Sequence, residues 1–499
     1  MALPLLDRPG DFIAGEFANP GDPDEELVIQ SPADLSDRTA VHPYAVSQVA
    51  RAVDAARQAQ PAWRRTSEDD RRALLLRYRD RLCANREAIA LTIAREAGKP
   101  MWEATGEANA MAAKVDVMLG EGAEHTRDVR IEDLPGEIRH RPLGVIAVIG
   151  PFNFPGHLPN GQIVPALLLG NCVVHKPSER TPSTAVWIAR CLDEAGLPAG
   201  VFNVVQGTAP SGQALTTSDG IDGILFTGSA AVGQAIVRDN AHRPQVLVAL
   251  ELGGKNAAIV LDDCELEATA RAVTFAAFAT VGQRCTSTSR LLVTADVADA
   301  LTSRVLELTR GLRVGYPLDE NVFAGPLIDE RARLTVEAAQ RLARAAGFEA
   351  LEPGGPVEVD GHQGHYLRPA IHRAPSADSI VPGYTDRELF GPDLAVHVVA
   401  DLDEAIEVAN ATPYGLAASV FTSSADHFER AADGLRVGVL HWNRSSAGAS
   451  GRLPFGGIRQ SGNHRPAGIL AGAACSYTLS ILGSPDPGSP TVAWPGFPT

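Results

Sequence analysis

Cys285 sits in the segment Gly282-Gln283-Arg284-Cys285-Thr286-Ser287. A thiolate there is a nucleophile for an electrophilic carbonyl carbon. A free thiol has a pKa of about 8.5, so nucleophilic use needs neighbours that lower it. Arg284 is one such neighbour, and backbone amides are others. A lone cysteine is more often a small buried apolar residue, so Cys285 carries meaning only in company. Three stretches supply the company. Glu251-Leu252-Gly253-Gly254-Lys255-Asn256 begins 34 residues earlier and offers a carboxylate beside two glycines. Pro151-Phe152-Asn153-Phe154-Pro155 offers a side-chain amide, and Glu388-Leu389-Phe390-Gly391-Pro392 a second carboxylate and an aromatic ring. Covalent carbonyl chemistry at sulfur needs a donor for the negative oxygen of its tetrahedral adduct and a base that draws a proton from water.

Positioning groups so far apart in sequence requires a large fold. At 499 residues the chain is too long for a single compact core and predicts two or three domains. Its composition, 45% apolar and 21% charged, is that of an ordinary soluble protein. A formal charge of −16 argues against a general nucleic-acid partner, since phosphate binding wants a basic surface. The first seven residues lack a basic start followed by an apolar core, so no secretory signal is expected. No uninterrupted apolar run is long enough to cross a bilayer. Six cysteines without CxxC spacing point to a reducing cytoplasm, and thirteen histidines without an HxxxH or HExxH pair give a catalytic metal no support.

Residues 44–120 carry apolar positions at helical spacing and predict three helices, broken at Pro61 and at Gly98-Lys99-Pro100. Residues 121–142 are polar, with Ile131 and Ile138 suggesting extended structure. From Gly144 short apolar runs (145–149, 172–175, 201–205, 223–226 and 246–250) alternate with helical stretches (184–195 and 230–237). That alternation predicts a parallel sheet covered on both faces, with ligands at the carboxyl ends of its strands. Gly228-Ser229-Ala230-Ala231-Val232-Gly233 follows one such strand and opens a helix whose free amides suit a pyrophosphate. Lys176 and Glu179 follow another, and alone they would read as a solvated pair on a loop. A second α/β unit begins at Ala257, with apolar runs at 257–261 and 291–294 and helices at 268–281, 297–312 and 332–345. Residues 352–365 predict a turn-rich surface link. The Pro- and Gly-rich tail from Ser484 has a disordered composition.

The four chemical stretches resemble, in order and spacing, those of the aldehyde dehydrogenase superfamily. The resemblance runs from Gly15-Glu16-Phe17 to Pro454-Phe455-Gly456-Gly457 and takes in Asn410-Ala411-Thr412-Pro413-Tyr414-Gly415-Leu416. It implies an α/β fold with a Rossmann-type NAD domain (1–120 and 142–253), an α/β catalytic domain (254–455) and a small β oligomerisation element (121–141 and 475–499). In that family the hairpin reaches a neighbouring subunit and a C-terminal segment pairs with another subunit's hairpin, implying a homodimer or homotetramer. The resemblance assigns Gly228, Ser229 and Gly233 to NAD and gives Lys176 and Glu179 the adenosine ribose, where a carboxylate repels a 2′-phosphate and favours NAD over NADP. It gives Glu388 the nicotinamide ribose and Phe390 a place beside the ring. Cys285 then forms a thiohemiacetal, Asn153 and the Cys285 amide hold its oxygen, and Glu251 activates water against the thioester. Because relatives that pass the acyl group to coenzyme A generally lack this base, Glu251 implies a free acid as product. Lys255 is a further candidate in proton transfer.

Residues 151–161 and Ser461-Gly462-Asn463-His464-Arg465-Pro466, with Trp442-Asn443, are similar to the subfamily that oxidises N-succinyl-L-glutamate 5-semialdehyde in arginine degradation. A dicarboxylate substrate wants cations at the pocket, for which Arg284, Arg444, Arg452, His464 and Arg465 are candidates. At position 255 the chain departs from that subfamily's Asn and carries the Lys of the wider superfamily. Alternatives are a dehydrogenase for another acidic or aliphatic aldehyde, and a non-catalytic binding protein on the same scaffold.

Overall fold

The computed structural model describes residues 10–483, together with 495 and 496. The expectations for residues 1–7 and for the rest of the tail from Ser484 lie outside the described residues.

Two large sheets organise the chain. In the first, Leu247–Glu251, Gly223–Thr227, Val145–Ile149, Cys172–Lys176 and Phe202–Val204 lie parallel in that spatial order, and the hairpin Asp11–Ile13/Glu16–Ala18 extends one edge antiparallel. Most residues of these parallel strands are buried, which is why they read as unbroken apolar runs. The strands grow outward from Val145–Ile149 in one direction and then, from Gly223–Thr227, in the other. That reversal opens a crevice at the carboxyl ends of these two neighbours, where open α/β sheets bind ligands. The second sheet runs Glu349–Pro356, Leu367–Arg373, Asp393–Val399, Thr288–Thr294, Asn256–Val260, Ala417–Phe421 and Val439–Trp442. All its pairs are parallel except the first.

Four helices, not three, fill residues 48–119: Gln48–Arg65, Glu68–Ala84, Arg86–Ala97 and Met101–Leu119. Pro61 does not break the first of them. Its C-terminal end is held by Trp63, buried with its indole N–H donating to the Leu167 carbonyl at 3.2 Å. Gly98 does end a helix, in left-handed backbone at φ 71°. The expected surface link at 352–365 is half strand: Glu349–Pro356 pairs antiparallel with Leu367–Arg373 through a register shift. An edge strand with a bulge tolerates the Pro and Gly that suggested a loop.

Residues 129–142 form the expected hairpin, Val129–Ile131 with Gly136–Pro142. The C-terminal strand Ser476–Leu482 pairs with Gly136–Pro142 of its own chain, Ser480 opposite Ile138.

Candidate active site

The nucleophile loop is built by contacts from both sheets. The helix expected to run to residue 281 stops at Phe278, because Thr280 and Val281 take left-handed backbone at φ 53° and 49°. For β-branched residues this costs about 1–3 kcal/mol each. Glu103, on the helix Met101–Leu119, compensates. Its Oε1 accepts from the Thr280 amide (3.0 Å), the Thr280 hydroxyl (2.9 Å) and Arg284 Nη2 (2.6 Å). At Gly282 an added Cβ would lie 2.2 Å from the Gly391 carbonyl oxygen, so glycine alone lets this loop meet the segment carrying Glu388 and Phe390. Asn256 fixes the far side: its Nδ2 donates to the carbonyls of Cys285 (2.7 Å) and Ser287 (2.9 Å).

Asn153 follows the strand Val145–Ile149, and its Nδ2 donates to the Gln283 carbonyl at 2.9 Å, two residues before the thiol. Glu107 shapes the stretch after it. This carboxylate accepts from the amides of Gly156 (2.9 Å) and His157 (3.1 Å) at the start of the helix His157–Leu168 and pairs with buried Lys99 at 2.6 Å. Lys99 in turn lies 3.4 Å over the Phe154 ring.

Glu251 closes the strand Leu247–Glu251. Its Oε1 accepts from the Ala467 amide at 3.2 Å, and its Oε2 is buried without a partner. Burial pushes its pKa up to about 8. The Ser461–Pro466 stretch buttresses this strand: Asn463 Oδ1 accepts from the Leu250 amide (3.0 Å) and its Nδ2 donates to the Val248 carbonyl (2.8 Å). Glu388 accepts from the Gly254 amide at 3.1 Å and is raised to about 7 by burial. A Cβ on Gly253 would fall 1.9 Å from its Oε2, so that glycine makes room for the carboxylate. Phe390 packs edge-on against Phe152, centroids 5.7 Å apart.

Cys285 corrects the expected role of Arg284. The guanidinium turns to Glu103 and does not lower the thiol's pKa. Burial, aided by the charges of Glu388 and Glu251, pushes the thiol up to about 12. Lys255 is buried, lowered to about 8 by desolvation, and lies 5.6 Å from the Tyr384 ring centroid.

One cavity of about 1230 Å³ is lined by Lys176, Glu179, Gly228 and Ser229, and also by Asn153, Glu251, Cys285, Glu388 and Phe390. The first group suits a dinucleotide. Ser229 caps the helix Ala230–Asn240, leaving first-turn amides at the crevice. Gly233 packs where a Cβ would press on Leu252, and Lys176 is buried 3.7 Å from half-exposed Glu179. Among the five candidates for the substrate's carboxylates, only Arg284 reaches this cavity. Arg444, His464 and Arg465 are exposed elsewhere, and Arg452 pairs with Glu121.

The family model described as the aldehyde dehydrogenase family matches residues 19–480. The chain belongs to the aldehyde dehydrogenase family. As such it is an oxidoreductase that acts on an aldehyde with a nicotinamide dinucleotide. It is 43% identical over 438 residues to an N-succinylglutamate 5-semialdehyde dehydrogenase of Caulobacter sp. (strain K31), covering 87% of this chain and 88% of that one. A protein of the same name from Chromohalobacter salexigens is 44% identical over 452 residues, covering 87% and 88%. The crystal structure of an NAD-dependent aldehyde dehydrogenase from Sinorhizobium meliloti superposes with a TM-score of 0.90 at 30% identity, covering 97% of each chain. The dehydrogenase names of these relatives favour an enzyme over the binding-protein alternative.

Glu103, Glu107, Asn256 and Gln283 were not singled out from the sequence as site residues. A signal existed for the first two. Glu103, Glu107 and Lys114 interrupt the buried face of a helix otherwise lined by Ala104, Ala108, Met111 and Val115.

Proposed function

We propose that this aldehyde dehydrogenase oxidises N-succinyl-L-glutamate 5-semialdehyde to N-succinyl-L-glutamate with NAD, as a step in arginine degradation. The observation that carries the reading is the convergence of Cys285, Asn153 and Glu251 on the same cavity as Lys176, Glu179 and Gly228. The names of the two relatives support the substrate. In this reading the dinucleotide belongs to a domain of residues 1–120 and 142–253, and the nucleophile to a catalytic domain of residues 254–455.

The buried Cys285 thiol keeps its proton at rest, and attack on the aldehyde carbon follows loss of that proton to solvent water in the cavity. The resulting thiohemiacetal oxygen is held by the second N–H of Asn153 and the Cys285 amide, donors fixed before the reaction starts. Lys176, Glu179, Gly228, Ser229, Gly233, Glu388 and Phe390 would hold the dinucleotide, which supplies the hydride acceptor when bound. A thioester is then left on Cys285, and Glu251 takes a proton from water as the water attacks it. Glu179 favours NAD because a carboxylate accepts from a 2′-hydroxyl and repels a 2′-phosphate. A cytoplasmic homodimer or homotetramer completes the reading. The side chains of Val129, Ile131, Tyr477 and Leu479, exposed on the three-stranded sheet, support an assembly.

Two outcomes test this. Comparison of kcat/KM across aldehydes should favour succinylglutamate semialdehyde over succinic semialdehyde and propanal, and NAD over NADP; a value no better than propanal's removes the substrate. Asn153→Ala should lower kcat by about 10²–10³-fold, the usual effect of losing one oxyanion donor. An unchanged kcat would exclude that role.

A further inference from the structure

Resting on the reading that the substrate is an acidic aldehyde, we propose that Lys114 is the cation that binds a substrate carboxylate remote from the aldehyde carbon. Lys114 lines the same cavity as Asn153, Phe154 and Cys285. Lys99 and Arg284 lie over the Phe154 ring, and Lys99 and Lys114 lie near His157; of these three cations two are already answered. Arg284 pairs with Glu103 at 2.6 Å, and Lys99 pairs with Glu107 at 2.6 Å. Lys114 has no carboxylate within ion-pair distance among the described residues. Its Nζ makes one hydrogen bond, to the Gly468 carbonyl at 3.1 Å, and an ammonium has three donors.

The residue is only 6% exposed, so this ammonium is deprived of water without receiving a counter-ion. Desolvation accordingly draws its pKa down to about 8. His157, which lines the same cavity, is held neutral by burial and adds no charge. Within this cluster the carboxylates of Glu103 and Glu107 answer Arg284 and Lys99, and the charge of Lys114 is left over. An anionic ligand of one unit balances it.

Glycines frame the ammonium. A Cβ on Gly161 would stand 3.2 Å from Lys114 Cε, and one on Gly451 would stand 3.9 Å from Nζ. Space is therefore kept open around the free donors. A neutral aldehyde gains nothing from this charge. An acidic one gains a charge-assisted hydrogen bond whose loss costs about 10- to 100-fold in binding.

The test compares kcat/KM for succinylglutamate semialdehyde, succinic semialdehyde and propanal in the wild type, Lys114→Met, Lys114→Gln and Lys114→Arg. The NAD dissociation constant of each reports that the site has folded. In the Met and Gln variants the preference for the acidic over the neutral aldehyde should fall about 10- to 100-fold, through KM more than kcat, and Arg should restore most of it. Equal losses for both aldehydes, or a retained preference for succinylglutamate semialdehyde, overturn the assignment of Lys114 and leave the substrate reading standing. A wild type that prefers succinic semialdehyde, with that preference lost in Lys114→Met, supports Lys114 and removes the substrate reading. A wild type that prefers neither acid to propanal overturns both.

Discussion

Cys285→Ala should abolish aldehyde-dependent NADH formation, lowering kcat by about 10⁴-fold or more, the scale on which loss of a covalent nucleophile acts. The substitution removes only the sulfur. The contacts that hold the loop are made by the backbone carbonyl of residue 285, to Asn256, and by Glu103 to Thr280 and Arg284. Alanine keeps all of them, so the loop should retain its shape and NAD should bind with a dissociation constant within about twofold of wild type. Stopped-flow absorbance for turnover and fluorescence titration for NAD make the comparison. Residual turnover within tenfold of wild type would show that the thiol is not the nucleophile.

Glu251→Gln separates the two halves of the reaction. Glutamine preserves size and can still accept from the Ala467 amide, but it cannot take a proton from water. One NADH per site should form in a burst, followed by a steady state about 10²–10⁴-fold slower than wild type as acyl-enzyme accumulates. The pH dependence follows from burial. Because the carboxyl's pKa is raised to about 8, the base is protonated below that value and free above it, so the wild-type deacylation rate should climb through about pH 8. Glu251→Gln should lose this rise. Normal steady-state turnover in the variant, with the rise intact, would remove Glu251 from the role.

The first sheet was legible because its strands are buried on both faces, which leaves uninterrupted apolar runs between helices. Each predicted run falls within a residue or two of its strand, Val145–Ile149 without any shift. Errors came where tertiary contacts override local preference. Trp63 holds Pro61 inside a helix, the bulged edge strand Glu349–Pro356 absorbs Pro353, Gly354 and Gly355, and Glu103 turns Thr280 and Val281 out of the preceding helix. The site shows the same division. Cys285, Glu251 and Asn153 were visible as reactive types in short motifs. Arg284 was misread because its neighbour in sequence is the thiol, while its partner in space is a carboxylate 181 residues away. Lys114 was passed over for exposed arginines because no sequence pattern tells an answered cation from an unanswered one.

In this mechanism the acyl group rests on one sulfur before water takes it. Glu251→Gln, mixed with NAD and succinylglutamate semialdehyde and quenched in acid after the burst, can be weighed intact and then digested. One acyl adduct per chain is expected, located on the peptide that contains Cys285 and absent when Cys285 is also replaced by alanine. A burst of NADH with no adduct, or an adduct on any of the five other cysteines, would contradict it.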